Sequence, residues 1–180
     1  MKVIAICGSP RRGNTEFILN KIFNSLPGKK ELILLRNKNI KHCSGCLSCD
    51  KTKKCVIKDD MEEIYNKLKE ADLIIIGTPN YFDNVTGLLK DFIDRTNPLY
   101  MTDILKGKKL INIVVGGGKI KNSQRVVNQA LTYFAKAHNL KIINSYFFQA
   151  LNLKEVESNP KTVKKIGTII RDIQKLKCKS

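Results

Sequence analysis

The sequence predicts an α/β fold, a doubly wound five-stranded parallel sheet in the strand order 2-1-3-4-5, and three observations carry that prediction. Five apolar runs of strand length recur along the chain, continuous rather than alternating, as strands buried on both faces require. Segments with apolar residues at helical spacing separate them, so strand and helix alternate from end to end. Polar or glycine-rich loops follow the strands, at the edge where such sheets gather their ligands. The 180 residues, 42 % of them hydrophobic, provide for one sizeable core, which argues for a single domain over 1–180.

The first strand is VIAIC, at 3–7, and a polar turn follows at once. A helix over about 15–25 sets Ile18, Ile22 and Leu26 on one side, with Leu19 and Phe23 beside them. ELILL, at 31–35, is the second strand, and a cysteine-rich loop (43–55) is inserted between it and the next helix. Asp60, Met61, Glu62 and Glu63 read as a capping box opening that helix, which runs towards Glu70. DLIIIG, at 72–77, is the third strand; a loop and a helix over about 87–95 come next, the helix carrying Leu88, Leu89, Phe92 and Ile93. LINIVV, at 110–115, ends in three glycines and precedes a helix over about 123–138 with Val127, Ala130, Leu131 and Phe134 on one face. A last strand at 141–148 leads through a loop near Pro160 to an amphipathic helix bearing Val163, Ile166, Ile170 and Ile173.

Four cysteines, Cys43, Cys46, Cys49 and Cys55, follow a C-x2-C-x2-C-x5-C pattern. Thiolates are soft ligands suited to iron–sulfur clusters or zinc. Zinc sites usually pair two C-x2-C knuckles across a longer insert, so a third cysteine two residues on favours a four-iron cluster, with zinc and disulfides as the other readings. The apolar run at 3–7 is too short for a secretory signal, so a reducing, cytoplasmic setting is expected and disulfides are disfavoured. Cys7 and Cys178 read as plain thiols.

The turn after the first strand, Gly8-Ser-Pro-Arg-Arg-Gly-Asn-Thr15, brings hydroxyls, backbone amides and a helix N-terminus together, which suits a phosphate; Arg11 and Arg12 add fork-shaped cationic donors. It mimics the nucleoside-triphosphatase loop, but Asn14 stands where the lysine belongs and no magnesium-binding aspartate ends the third strand, so a single terminal phosphate fits better. A plain capped turn is the alternative. The loop Pro79-Asn80-Tyr81-Phe82-Asp83-Asn84 puts two aromatics on the same edge, suiting a flat heterocycle, unless Tyr81 and Phe82 are core residues. Gly116, Gly117 and Gly118 allow close approach to a ligand or simply turn the chain.

Lysine and arginine total 33 against 16 acids, a net charge of +17, yet the lysines are scattered and no nucleic-acid module accompanies them. A solvated positive surface able to steer an acidic redox partner is the expectation. No apolar run approaches the roughly 20 residues of a membrane span. No pair of residues reads as a catalytic acid and base, and His42 and His138 read as a surface histidine and a helix-end histidine.

GSPRRGNT, TPNYFDNVTGLLKDFIDR and the cysteine run together resemble the NADPH-dependent FMN reductase-like branch of the flavodoxin-like flavoproteins, and within it the iron–sulfur flavoproteins of anaerobes; the resemblance extends from Met1 to about Leu140. It implies that Ser9, Arg11, Asn14 and Thr15 hold the FMN phosphate, with Arg12 as the other arginine of that turn. It also implies that Pro79 through Asn84 contact the isoalloxazine, that Gly117 borders the ring, and that the four cysteines bind [4Fe–4S]. This chain departs from the family in a shorter phosphate turn and in Asn80, where an aliphatic residue is common. The implied function is electron transfer from a one-electron donor such as ferredoxin, through the cluster to FMN, and on to a small acceptor such as dioxygen, peroxide or another carrier, in a homodimer or homotetramer. Two rival readings are an NAD(P)H-dependent FMN or quinone reductase whose cysteines are vestigial or bind zinc, and a basic nucleic-acid-binding or sensor module.

Overall fold

The computed structural model describes residues 1–100, 102–118 and 120–176. Cys178 lies outside them. Strands β1 (Val3–Cys7), β2 (Lys30–Leu34), β3 (Leu73–Pro79), β4 (Lys109–Gly116) and β5 (Lys141–Gln149) form one parallel sheet in the order β2-β1-β3-β4-β5, as expected of a flavodoxin-like fold. Helices α1 (Asn14–Ser25), α3 (Met61–Glu70), α4 (Gly87–Asp94), α5 (Arg125–Ala137) and α7 (Pro160–Lys175) cover its faces. Two short helices, α2 (Ser48–Thr52) and α6 (Glu155–Ser158), lie in the loops after β2 and β5.

The strands read as continuous apolar runs because both faces are covered. Successive side chains point to opposite sides of the sheet. Ile4, Ile6, Ile74, Ile76, Leu110 and Val114 therefore pack with Ile64, Leu68, Phe92 and Leu131 of α3, α4 and α5. Val3, Ala5, Leu73, Ile75, Ile111 and Ile113 pack with Ile18, Leu19 and Ile22 of α1 and Ile166, Ile169 and Ile173 of α7. Each such aliphatic side chain contributes about 1.5–3 kcal/mol when fully buried. Gly77 is required by this packing: a Cβ there would stand 2.7 Å from Leu19 Cδ1, so α1 could not lie this close to β3.

Three local expectations need correction. The second strand begins at Lys30 and stops at Leu34, because Leu35 enters a 3-10 turn, Leu35–Asn37, that starts the departure towards the cysteine loop. Asp60 does not form a capping box: its Oδ2 accepts the Asn39 N–H (2.8 Å), while Asp59 Oδ1 accepts the Met61 N–H (3.1 Å) at the start of α3. The helix expected from 123 begins instead with a π-helical turn, Ile120–Gln124, before α5. Gln124 is fully buried, and its Nε2 donates to Gly116 O and Phe148 O (both 3.0 Å), so the carbonyls at the ends of β4 and β5 fix the approach to α5.

His138, at the C-terminal end of α5, is buried against Phe134 and bonded through Nε2 to Thr96 Oγ1 (2.9 Å). Burial pushes its pKa down to about 4. The unfolded chain takes up this proton near 6.5, so the stability His138 contributes is complete above about pH 6.5 and is lost as the pH falls towards about 4. Urea unfolding midpoints are expected to drop between about pH 7 and about pH 5, and to drop less in His138→Gln, which keeps a partner for Thr96 without the titrating ring.

Candidate functional site

The carboxyl edge of the sheet is built by the loops after β1, β3, β4 and β5. Chain direction after β1 is set by Ser9, buried, whose Oγ donates to Arg11 O (2.8 Å) and closes a tight turn. Gly13, the residue before α1, has no side chain with which to cap it, and the first intrahelical bond runs from Phe17 N to Gly13 O (2.9 Å). The amides of Asn14, Thr15 and Glu16 thus form an uncapped helix N-terminus beside the exposed Arg11 and Arg12. A cleft with an enclosed volume of about 160 Å³ opens here, lined by Ser9, Arg11, Asn14 and Thr15 on one side and by Pro79, Asn80 and Tyr81 on the other. Arg12 does not line it. The Asn14 side chain is committed elsewhere: its Nδ2 donates to Asn152 O (2.7 Å) and its Oδ1 accepts the Val156 N–H (3.2 Å), tying α1 to the segment before α7.

The cleft floor comes from the end of β4 and the residues just after β4 and β5, which the sequence signalled only through the glycines at 116–118. Val115, Gly116, Ala150 and Leu151 line it as well. Gly116 is needed because a Cβ there would meet Asn80 Cβ at 2.9 Å, and Asn80 N donates to Val115 O (2.7 Å), locking the two loops together. The register brings these residues together, since Gly116 pairs with Gln149 at the same edge.

The loop from Pro79 to Asn84 is a two-residue hairpin. Tyr81 and Asn84 exchange both backbone bonds (3.0 Å each), and Phe82 and Asp83 between them have φ of 50° and 56°. Two successive left-handed residues make a primed turn, where Asn-Gly is the usual choice and a phenylalanine is strained. Phe82 is fully solvent-exposed and Tyr81 is 43 % exposed, so neither is a core residue. Asp83 accepts from Ser123 and Asn80, and Asn80 also donates to Ser123. Asn80 Oδ1 is buried with no partner among the described residues. Thr86, missed in the sequence, caps α4 by accepting the Leu89 N–H (3.2 Å) and donates to Gly8 O (2.6 Å), fixing α4 against the turn after β1.

The four cysteines converge. Cys43, Cys46, Cys49 and Cys55 surround one cavity of about 50 Å³, walled by Leu47, Val56, Ile57 and Asn97. Among the described residues no group of three or more His, Cys, Asp or Glu side chains is gathered for a single ion, and the four thiols are free. Asn97 Nδ2 donates to Cys49 Sγ (3.0 Å). The peptide reverses at Gly45, Leu47 and Lys53, all with positive φ, the last two flanking α2. Beside the loop His42 Nδ1 meets Asp91 Oδ1 at 2.7 Å, a contact that raises the histidine pKa. Cys7, by contrast, is buried at the end of β1, and burial raises its thiol to about 11, which leaves it inert.

Both ends of the cysteine loop are held by Arg95, at the C-terminal end of α4. Its Nη1 donates to Asp59 Oδ2 (2.6 Å) and Lys41 O (2.7 Å), and its Nη2 to Asp59 Oδ1 (3.0 Å) and Ile57 O (3.5 Å). Asp59 Oδ2 also accepts the Lys41 N–H (2.9 Å), and Tyr65 Oη donates to Arg95 O. The Arg95 and Asp59 side chains are 1 % and 0 % exposed. Burial pushes the Asp59 carboxyl up, but the Arg95 bonds and the Lys41 and Met61 amides outweigh it and hold the group below the usual carboxylate range. Arg95 carried no signal in the sequence beyond being the last residue of the helix after the aromatic loop.

A five-stranded flavodoxin-like sheet with an uncapped helix N-terminus, an aromatic hairpin and a convergent cysteine quartet at its carboxyl edge defines a redox-cofactor protein class. The chain belongs to the NADPH-dependent FMN reductase family, which it matches over residues 1–152, and within that family to the iron–sulfur flavoproteins. It is 38 % identical to an iron–sulfur flavoprotein of Methanocaldococcus jannaschii over 138 residues, covering 74 % of this chain and 72 % of the relative. An iron–sulfur flavoprotein of Methanosarcina thermophila is 31 % identical over 154 residues, 82 % of this chain and 80 % of the relative. The fold is that of a flavone reductase of known structure, with a TM-score of 0.74 at 22 % identity over 96 % of this chain, which spans 62 % of that protein.

Removing one partner of the Arg95–Asp59 pair strands a buried charge. Asp59→Asn and Arg95→Met are each expected to lower the free energy of unfolding by about 3–5 kcal/mol, measured by denaturant titration, whereas Lys90→Ala, which breaks only the exposed pair with Asp94, is expected to cost less than about 1 kcal/mol.

Proposed function

We propose that the protein is an FMN-dependent oxidoreductase that accepts single electrons at a [4Fe–4S] cluster and passes them to FMN. The observation that carries this reading is the enclosure of one cavity by all four cysteines, on the loop that Arg95 ties to the helix of the aromatic hairpin. Membership of the FMN reductase family and similarity to iron–sulfur flavoproteins supply the cofactor identities. The donor set fits: four unpaired thiols, with an N–H already directed at one sulfur, suit a cluster. The flavin cleft fits as well, with the uncapped N-terminus of α1, the Arg11 cation and the buried, unpartnered Asn80 Oδ1 along one trough.

In this reading Ser9, the amides of Asn14 and Thr15, and Arg11 hold the phosphate, with Arg12 at the rim, and the Asn14 side chain braces the turn instead of meeting the ligand. The cleft is smaller than the roughly 300 Å³ at which whole-ligand pockets begin, so the residues from Pro79 to Asn84, with Gly117, would hold the isoalloxazine at its open side. Such a pair of cofactors joins one-electron to two-electron chemistry. The chain's own residues bind, orient and tune the cofactors, and no acid–base pair is required of them.

The donor is a one-electron carrier with an acidic surface, such as a ferredoxin. Leu47 and Val56, 66 % and 57 % exposed, are walls of the cysteine cavity, and the exposed Lys41, Lys51, Lys54 and Lys58 lie on or next to the same loop in sequence. Several lysines elsewhere pair with Glu70, Glu63 and Glu31 or donate to main-chain carbonyls, and the lysines are scattered along the chain, which argues against a nucleic-acid stripe. The acceptor is a small molecule. A homodimer or homotetramer has a surface available in the apolar groove between α4 and α5, where Tyr100 and Tyr133 are exposed. The reducing setting this chemistry needs is the cytoplasm; no helix among the described residues is long and apolar enough to cross a membrane.

Membership of the NADPH-dependent FMN reductase family favours a second reading, direct reduction of FMN by NADPH. Protein purified without air and analysed for iron, sulfide and flavin is expected to carry about four irons and one FMN per chain. Rapid mixing with NADPH is expected to reduce the flavin slowly, and a reduced ferredoxin quickly, with a rate that falls as salt is raised. Iron-free protein with fast NADPH reduction would establish the second reading in place of the first.

A further inference from the structure

Asn97 stands where the segment leaving α4 meets the cysteine loop, and its backbone is fixed on both sides. Arg95 is clamped to Asp59, and the Thr96 hydroxyl donates to Ile93 O (2.6 Å) and contacts His138. Pro98 restricts the 3-10 turn Asn97–Leu99, closed by the Tyr100 N–H on Asn97 O (2.9 Å). From this base the Asn97 carboxamide lines the cavity of the four cysteines. Its Nδ2 donates to Cys49 Sγ (3.0 Å) and to Asp50 Oδ1 (2.9 Å). A carboxylate oxygen only accepts, so the amide nitrogen, and not its oxygen, must face Asp50 and with it the sulfur. Asp50 thereby holds the amide in the orientation that points its other N–H at sulfur.

We infer that Asn97 sets the reduction potential of the cluster by hydrogen bonding to the Cys49 thiolate. The inference rests on the iron–sulfur reading above. An N–H directed at a ligating sulfur withdraws electron density from it, and the bond strengthens when the group gains negative charge. Reduction adds one electron, supplied by the one-electron donor, and neither makes nor breaks a covalent bond. The reduced form gains more from Asn97 than the oxidised form, so the bond raises the potential. Asn97 supplies no ligand to iron. Its part is to tune, from a position fixed by Arg95 and Pro98.

The test compares wild type, Asn97→Ala and Asn97→Asp, titrated potentiometrically without air, with iron, sulfide and FMN counted in the same samples. Both variants are expected to keep wild-type iron and sulfide, to shift the cluster midpoint to more negative potential, further in Asn97→Asp where a carboxylate faces the thiolate, and to leave the flavin midpoint unmoved. A wild-type midpoint in both variants overturns the inference. Loss of iron from both also overturns it, since a residue that only tunes leaves cluster assembly intact. Wild-type protein lacking iron and sulfide instead contradicts the iron–sulfur reading itself, and the two failures are thereby distinct.

Discussion

The site depends on one buried guanidinium. Arg95 meets Asp59, Lys41 O and Ile57 O, so residues on both sides of the cysteine loop converge on a side chain that belongs to α4. The loop contains only one short helix, and its peptide reverses direction at three residues with positive φ. Without a clamp at its base it would carry the conformational entropy of an open loop, about 1–2 kcal/mol for each residue fixed. A buried ion pair is not in itself a large source of stability, because desolvation offsets most of the attraction. Its value here is geometric: a planar fork with a carboxylate and two carbonyls as partners admits one arrangement of the strands leaving it.

That arrangement links two parts of the edge that are far apart in sequence. α4 is capped by Thr86, which is hydrogen bonded to Gly8 just after β1, and is followed at once by Arg95, which holds the cysteine loop. The aromatic hairpin precedes this helix, and Asn97 follows it. One helix of eight residues, buried through Leu89 and Phe92, therefore sets the turn after β1, the hairpin and the cysteine cavity in a fixed relation.

Much of this was legible in the sequence, for identifiable reasons. Continuous apolar runs such as VIAIC and LINIVV report burial on both faces, and burial on both faces with intervening helices leaves few folds. The cysteine spacing and the turn from Gly8 to Thr15 were visible because their residue types are rare in such density. Long-range contacts were not visible. Asn14 reads as a ligand-binding residue from its place in the turn, yet its amide is used by Asn152 and Val156, more than 130 positions away. Asp60 reads as a helix cap, yet Asp59 takes part of that role because Asp60 is drawn to the Asn39 amide. Arg95, Asn97 and Thr86 are ordinary polar residues in one dimension, and only the sheet order brings them to the edge.

The central claim is that the cysteine quartet delivers electrons to the flavin. It is tested most directly by the rate at which a one-electron donor reduces bound FMN in wild type and in Cys55→Ser, both prepared without air and with FMN content matched. The account predicts that flavin reduction by the donor falls at least about tenfold in the variant, a change of about 1.4 kcal/mol in the barrier, while the flavin spectrum of the oxidised protein is unchanged. Equal rates in the two proteins would contradict it, because electrons would then reach the flavin without the cysteine site.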